Sequence, residues 1–531
     1  MDSNAPLNAL LNRPSIEEDV SLLDHLNDQV MEHSRSFIDF SKSTSWRSLL
    51  GRLIHFLIPS FLQGWRTPEQ SRPAKKGPTA YLDGVRGLAA FTVFLCHHSF
   101  QAFSVDEGWG CNGGFYRIMR LPILRLLYAG RPSVSVFFVV SGYALSYRAV
   151  KLMRSRNTEE LYTSMSSMIF RRAIRLYLPT FTSTGLVVVF LRLGFYESTR
   201  VFSADHANLR NALLPYRPRF ESAWAQWMDW AEVCFHSIVP FSWNPQDGLN
   251  KYDSYLWTIP IEYRGSIYLF LIILGTAHLR TTYRLLTLMM IIWITYLKAR
   301  WDFLLFLYGM AIAEWDHIRG AHTTHHDVSQ GEKKELGDSR RTFIRQSIWN
   351  LISIIGLFLL SQPPTRSEVT PGWVTLTAMI PDGWDSPGTE RARYWQQFGA
   401  GIFVLAVGHS KFWLRVYNSA IIQYLGNISY ALYLVHGILL RWAAHRILRF
   451  FLFYVMGSVG DNHYKVGDNY YKVGDNYYKA GDNYYRGFWL ATCFIIPMTI
   501  WVADIFWRAI DIPSVKFAKW FEVKLRATAW V

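Results

Sequence analysis

Ten stretches of this chain are apolar over nearly the length that a membrane-spanning helix needs. They lie near residues 86–104, 133–149, 177–195, 255–276, 283–299, 301–316, 345–361, 396–411, 418–440 and 487–508. About 20 predominantly apolar residues cross the hydrocarbon core, and inside it the backbone can satisfy its polar groups only as helix or closed barrel. Ten such stretches in 531 residues predict an all-α fold, a polytopic transmembrane bundle of about ten spanning helices. The 16% aromatic content suits the interfacial belts of such a bundle. The net charge of +15 has a matching explanation that calls for no nucleic-acid partner. Arg148, Lys151, Arg154 and Arg156 follow the second stretch, Lys333, Lys334, Arg340 and Arg341 follow the sixth, and Lys516, Lys519, Lys524 and Arg526 follow the tenth. With ten spans all three groups share one side, so both termini are expected in the cytoplasm.

Composition shifts divide the chain further. Residues 1–45 are polar and acidic (Glu17, Glu18, Asp19, Asp24) and read as a mobile cytosolic tail. Residues 46–80 hold nearly all of the stretch Ser45–Trp65, SWRSLLGRLIHFLIPSFLQGW, whose Arg47, Arg52 and His55 interrupt the apolar positions, followed by a basic linker. That pattern predicts an amphipathic helix lying on the lipid surface. A transmembrane domain over 81–510 and a basic tail over 511–531 complete the chain. Four tandem heptapeptides, VGDNHYK, VGDNYYK, VGDNYYK and AGDNYYR, occupy 459–486. Each unit carries a Gly-Asp-Asn turn signal and no apolar seam, which reads as an exposed low-complexity loop. The aromatic loop over about 196–252 is expected outside the membrane, as a cap over the bundle or as a solvent loop. Cys111 and Cys234 fall on that same outer side, where a disulfide is chemically allowed. No CxxC or Cys/His ligand spacing is present, so no metal site is expected.

The chemistry concentrates in a few polar interruptions of the apolar stretches. YLDGVRGLAAFTVFLCHHSF, residues 81–100, opens with Asp83 and Arg86 and closes on His97 and His98. Eleven steps along an α-helix return to nearly the same face after a rise of about 16 Å. One helix face therefore carries the Arg86 guanidinium near the membrane edge and the His97 imidazole about half a bilayer deeper. Ionisable groups at that depth are costly and mark functional sites facing the bundle interior; snorkelling and structural hydrogen bonding are the plainer reading. Ser141-Gly142 in the second stretch permits a kink or a close backbone approach. RRAIRLYLP, with Arg171, Arg172 and Arg175, offers guanidinia to phosphate groups or marks topology alone. YLWTIPIEYRGS places Trp257 and Glu262 in an apolar stretch that Pro260 is expected to kink or break. The carboxylate needs a partner there, with Arg86, Arg264 or a histidine as candidates, and a structural ion pair between helices is the plainer reading. LGNISYALYLVHG adds Ser429, Tyr430 and His436.

In this order and spacing these stretches resemble the integral-membrane acyltransferase family 3, in its fungal branch. The family's "LDGLRGLAAL…HH" helix is matched by Leu82 to Leu88 with His97-His98, and its Arg/Lys-x10-His pattern by Arg86 and His97. "FFVLSGF" is matched by Phe137 to Tyr143, with Tyr143 in place of the usual Phe. "R…RL.P" corresponds to Arg171, Arg175, Leu176 and Pro179, "LWS/T…E" to Leu256-Trp257-Thr258 and Glu262, and "LG.iSY.LYL.H" to Leu425 through His436.

The resemblance implies an acyl-CoA co-substrate, with acetyl the commonest acyl group, reaching the protein from the cytoplasm. It also implies a hydroxylated acceptor: a sugar, glycan, sterol, terpenoid or other small metabolite. No bound cofactor is expected, and the lipid bilayer is the remaining partner. The expected roles are His97 as general base, with His98 as second choice, and Glu262 orienting the imidazole or stabilising its protonated form. Arg86, Arg171, Arg172, Arg175, Ser141 and Gly142 are expected to hold the donor. Asp83, Trp257, Ser429, Tyr430 and His436 are expected as structural motif positions. A transporter or flippase on the same fold would also employ intramembrane Arg, Glu and His, though it has no need of the Arg86–His97 spacing. A regulatory membrane protein recruiting partners through its acidic tail is the third reading.

Overall fold

The computed structural model describes residues 46–63, 77, 79–111, 116–204, 209, 217–242, 244, 247–320, 336–384, 391–455, 470–473, 476–479 and 482–525. The acidic tail expected over 1–45 and most of the basic linker lie outside the described residues. The chain divides into two units, Met1–Ala80 and Tyr81–Val531. In the first, α1 (Trp46–Leu57) is helical, with Leu50, Leu53, Ile54 and Leu57 exposed at i, i+3, i+4 and i+7. Pro59 follows its end, and the Gln63 Nε2 donates to the open carbonyls of His55 (2.9 Å) and Ile58 (2.7 Å).

The second unit is a helical bundle. Its principal helices are α2 (Tyr81–Phe100), α3 (Gly130–Arg154), α4 (Thr158–Arg192), α5 (Ala223–Ser237), α6 (Thr258–Thr276) and α7 (Thr281–Leu297). They continue as α8 (Trp301–Arg319), α9 (Leu336–Leu360), α10 (Tyr394–His409), α11 (Ala420–Leu439), α12 (Asp482–Phe506) and α13 (Ile512–Leu525). Each of the ten apolar stretches falls on one of these helices. Five helical runs among the described residues, starting at Gly130, Thr158, Ser254, Arg341 and Tyr484, are long and apolar enough by themselves to cross a membrane. The others are shorter or carry polar groups that the bundle buries in pairs, as with Arg284–Glu314 between α7 and α8. The bundle's outside is apolar in turn. On α7, Leu286, Met289, Met290, Trp293, Ile294 and Leu297 are all exposed, a surface that suits lipid and not water.

Glycines set the closest helix contacts. A Cβ on Gly87 of α2 would stand 2.5 Å from the Leu425 carbonyl carbon and 2.8 Å from the Gly426 Cα of α11. One on Gly426 would stand 2.6 Å from the Asp83 carbonyl oxygen. Gly142 of α3 and Gly309 of α8 interlock similarly: a Cβ on Gly142 would lie 2.7 Å from the Phe306 Cα. Ser141-Gly142 therefore makes no kink. It lies inside the continuous α3 and provides the close backbone approach, to a helix.

Several other expectations change. Pro260 neither breaks nor kinks its helix, because α6 begins at Thr258 and the proline occupies the first turn, where no intrahelical N–H is needed. Cys111 and Cys234 are free thiols. The loop over 196–252 contains α5, capped by the Ser222 hydroxyl, with Asp229 accepting from the Tyr252 hydroxyl (2.6 Å) and paired with Arg217. Of the heptapeptides, Tyr470–Val473 and Asn476–Lys479 pair as an antiparallel hairpin, β1 and β2. Residues 459–469, 474–475 and 480–481 of the repeat lie outside the described residues, and the described part of the last unit, Asp482–Arg486, is the start of α12, where Tyr484 is buried and Tyr485 stacks on Phe103.

Candidate active site

The last turn of α2 opens into a cavity of about 420 Å³. Val93, Cys96, His97 and Phe100 of α2 line one side, Gly130 to Pro132 and Val134 of α3 another, and Ser254, Trp257, Thr258 and Ile261 the start of α6. Tyr433 of α11 and Arg393 beside α10 complete the wall around His97. Arg393 lies over the Trp301 ring at 3.9 Å and the Trp257 ring at 5.2 Å, a cation held on two aromatic faces. Two hydroxyl-bearing residues of the wall are linked: the Thr258 hydroxyl donates to the Tyr433 oxygen (2.7 Å), whose own hydroxyl donates to the Tyr255 carbonyl behind it (2.6 Å).

His97 is half-buried at this cavity. Its ring packs against Tyr255 with centroids 4.3 Å apart and stacks on His436 at 5.4 Å with an interplanar angle of 18°. No hydrogen bond reaches either of its nitrogens among the described residues, so both remain available to a ligand in the cavity. His436 is fully buried and its Nδ1 donates to the Tyr433 carbonyl at 2.6 Å. His98 points elsewhere. It is 1% exposed, bonded to the Thr492 hydroxyl (2.8 Å) and stacked on Phe94 and Phe488. One step of about 100° on the helix turns it from the cavity into the α12 contact, which removes it as an alternative base.

Glu262 does not orient His97. Its Oε1 accepts from the Arg172 guanidinium (2.8 Å) and the Ser141 hydroxyl (3.4 Å), and Arg172 also donates to the Ser266 hydroxyl (2.9 Å). A buried carboxylate takes the strongest donor within reach, and here that is a guanidinium from α4. Ser141 thus supports this pair, while Gly142 is filled by the α8 backbone and offers no opening to a donor.

The four arginines do converge. Arg175 of α4 lies within electrostatic range of Arg86, Arg171, Arg172 and Asp511. Arg171 is bonded to Glu522 (3.1 Å), and Arg86 pairs with Asp83 at 3.6 Å. Arg175 makes no hydrogen bond or ion pair among the described residues and is exposed. Pro179 removes the helix N–H that would otherwise bond the Arg175 carbonyl. Tyr430 caps this region, donating to the Leu176 carbonyl at 2.5 Å, while Ser429 is buried within α11.

Sequence reasoning missed Tyr255, Thr258 and Arg393. The first two sit in the quoted YLWT stretch, yet nothing in their spacing shows that they face a histidine 160 residues away. Arg393 precedes α10 in a stretch with no periodic pattern.

The family described as "Acyltransferase domain" matches residues 79–508 of this chain. The O-acetyltransferase PaAT-1 of Phomopsis amygdali is 29% identical over 488 residues, 89% of each chain. The acyltransferase clz18 of Cochliobolus lunatus is 25% identical over 399 residues, covering 68% of this chain and 83% of that one. No solved structure matches. With a match from the start of α2 through the end of α12, and an apolar exterior around a histidine cavity, this chain belongs to the integral-membrane acyltransferase family 3.

Proposed function

We propose that this protein moves an acyl group, acetyl foremost, from acyl-CoA to a hydroxyl of a small metabolite, glycan, sterol or terpenoid. The observation that carries this reading is the division of labour along α2: a guanidinium cluster at one end and an unbonded imidazole in a cavity about 16 Å further on. Arg175, which has no ion pair among the described residues, and Arg86, whose contact with Asp83 is long at 3.6 Å, receive the donor phosphates, whereas Arg171 and Arg172 are held closer by Glu522 (3.1 Å) and Glu262 (2.8 Å). The rise between the ends matches the reach of an extended pantetheine arm. The acceptor occupies the cavity with its hydroxyl at His97.

His97 takes the hydroxyl proton as the oxygen attacks the thioester carbonyl carbon. The C–O bond forms, the C–S bond breaks, and the thiolate leaves with the proton returned by the imidazolium, yielding ester and CoA-SH. The O-acetyltransferase name of the relative from Phomopsis amygdali supports acetyl as the first donor to try.

The test is transfer from [14C]acetyl-CoA into extractable esters by membranes containing the protein. The acceptors are an alkyl glucoside, a sterol and a diterpenoid alcohol. Labelled ester is expected with the wild type and absent with His97→Ala. Arg175→Ala is expected to raise the donor KM about tenfold or more, the usual effect of removing a charge-assisted phosphate contact. Wild-type transfer by His97→Ala would refute the proposal.

A further inference from the structure

Glu262 is committed to Arg172, which leaves the His97 imidazole without the carboxylate that a general base of this kind uses. We infer that Asp253, on the turn preceding α6, is the positioning residue of this site and supplies that charge by way of His436.

The placement has three parts. Asp253 is 1% exposed and its Oδ1 accepts the Tyr255 backbone N–H at 3.1 Å, closing the short turn Ser254–Leu256. That bond aims the Tyr255 ring, which packs against one side of His97. The Oδ2 lies against α11 at Gly437: a Cβ there would come within 2.7 Å of Oδ1 and 2.8 Å of the carboxyl carbon. Glycine directly after His436 is therefore the notch that admits the carboxylate to the α11 backbone, beside the second ring that His97 stacks on.

A purely structural turn does not explain this choice of residue. The Oδ2 is buried and has no hydrogen-bond partner, and no cation forms an ion pair with Asp253 among the described residues. Burying such a carboxylate costs several kcal/mol, and asparagine would close the same turn without that cost. Within electrostatic reach are the imidazole of His436 and, acting on the same ring with opposite sign, the Arg441 guanidinium. Arg441 itself lies over Tyr255 (5.2 Å) and bonds the Tyr252 carbonyl and the Ser254 hydroxyl. His436 Nε2 is likewise buried without a hydrogen-bond partner. The carboxylate thus offsets the Arg441 charge where positive charge develops on the stacked imidazoles as His97 takes the acceptor proton. A preorganised group of this kind speeds the chemical step and leaves donor binding unchanged.

The inference rests on His97 being the base, and one set of full-length proteins in membranes separates the two failures. Asp253→Asn keeps the turn and removes the charge; Gly437→Ala keeps the aspartate and displaces it. With [14C]acetyl-CoA and the same three acceptors, both are expected to lower kcat about 30- to 100-fold with the acetyl-CoA KM within twofold of wild type. Glu262→Gln is expected to lower the thermal midpoint of the solubilised protein while retaining more kcat than either. Wild-type kcat in Asp253→Asn overturns the inference, as does a parallel loss of kcat, donor KM and thermal midpoint in both variants. Full activity of His97→Ala would instead remove the catalytic reading beneath it.

Discussion

Gly87→Ala tests the link between helix packing and catalysis with the smallest possible change. The added Cβ would sit 2.5 Å from the Leu425 carbonyl carbon, against an ordinary contact of at least 3.4 Å. The atoms it meets belong to the α11 backbone, so no rotamer change relieves the overlap. The Gly426 nitrogen lies closer still, so the α2–α11 gap must open by at least about 0.9 Å. Overpacking of this size costs roughly 1–3 kcal/mol of stability. It also reaches the chemistry, because α2 carries Arg86 and His97 while α11 carries His436. If α2 translates, His97 moves off its stacking partner. If α2 tilts about its far end, the shift falls on Arg86, one residue from the substitution. Misplacement of about 1 Å costs up to about 100-fold in rate, so kcat/KM is expected to fall about 10- to 100-fold. The assay is [14C]acetyl transfer in membranes, with the thermal midpoint of the solubilised protein measured alongside. Gly275→Ala is the control: nothing lies within 4 Å of its added carbon, and alanine suits a helix better than glycine. Gly87→Ala with wild-type kcat/KM and thermal midpoint would refute the reasoning.

Other perturbations separate the polar groups further. Glu262→Ala leaves the half-enclosed Arg172 charge without its carboxylate and is expected to cost about 3–5 kcal/mol, read as a lower thermal midpoint. His98→Ala loses the Thr492 bond and two ring contacts, so stability is expected to drop while kcat stays within about threefold; a kcat as low as that of His97→Ala would contradict its placement. In the loop preceding α6, burial pushes the Asp229 carboxyl up, but the hydrogen bonds and charge of Arg217 and the Tyr252 hydroxyl outweigh it and hold the group below the usual aspartate range. Its contribution to stability is therefore complete above that range and lost as pH falls through the depressed value. Asp229→Asn is expected to flatten the acid limb of a thermal-midpoint profile.

The fold was legible because hydrocarbon leaves the backbone so few choices. Ten apolar stretches had to be helices, and all ten are. Arg86 and His97 were equally legible as a pair, since helical periodicity alone puts them on one face. His98 was harder, because one residue of rotation decides between cavity and packing, and that depends on where α12 lies. Gly142 was recognisable as a close approach, but the approaching partner is the α8 backbone, which no local pattern names. Glu262 shows the limit most clearly. An intramembrane carboxylate demands a partner, and the sequence by itself determined that one must exist. Only the packing of α4 against α6 decided that the partner is Arg172. Packing of the turn before α6 against α11 likewise brings Asp253 to Gly437 from a distant part of the chain. Periodicity orders residues along one helix; which helices meet, and which side chain then wins each buried charge, is settled by packing in three dimensions.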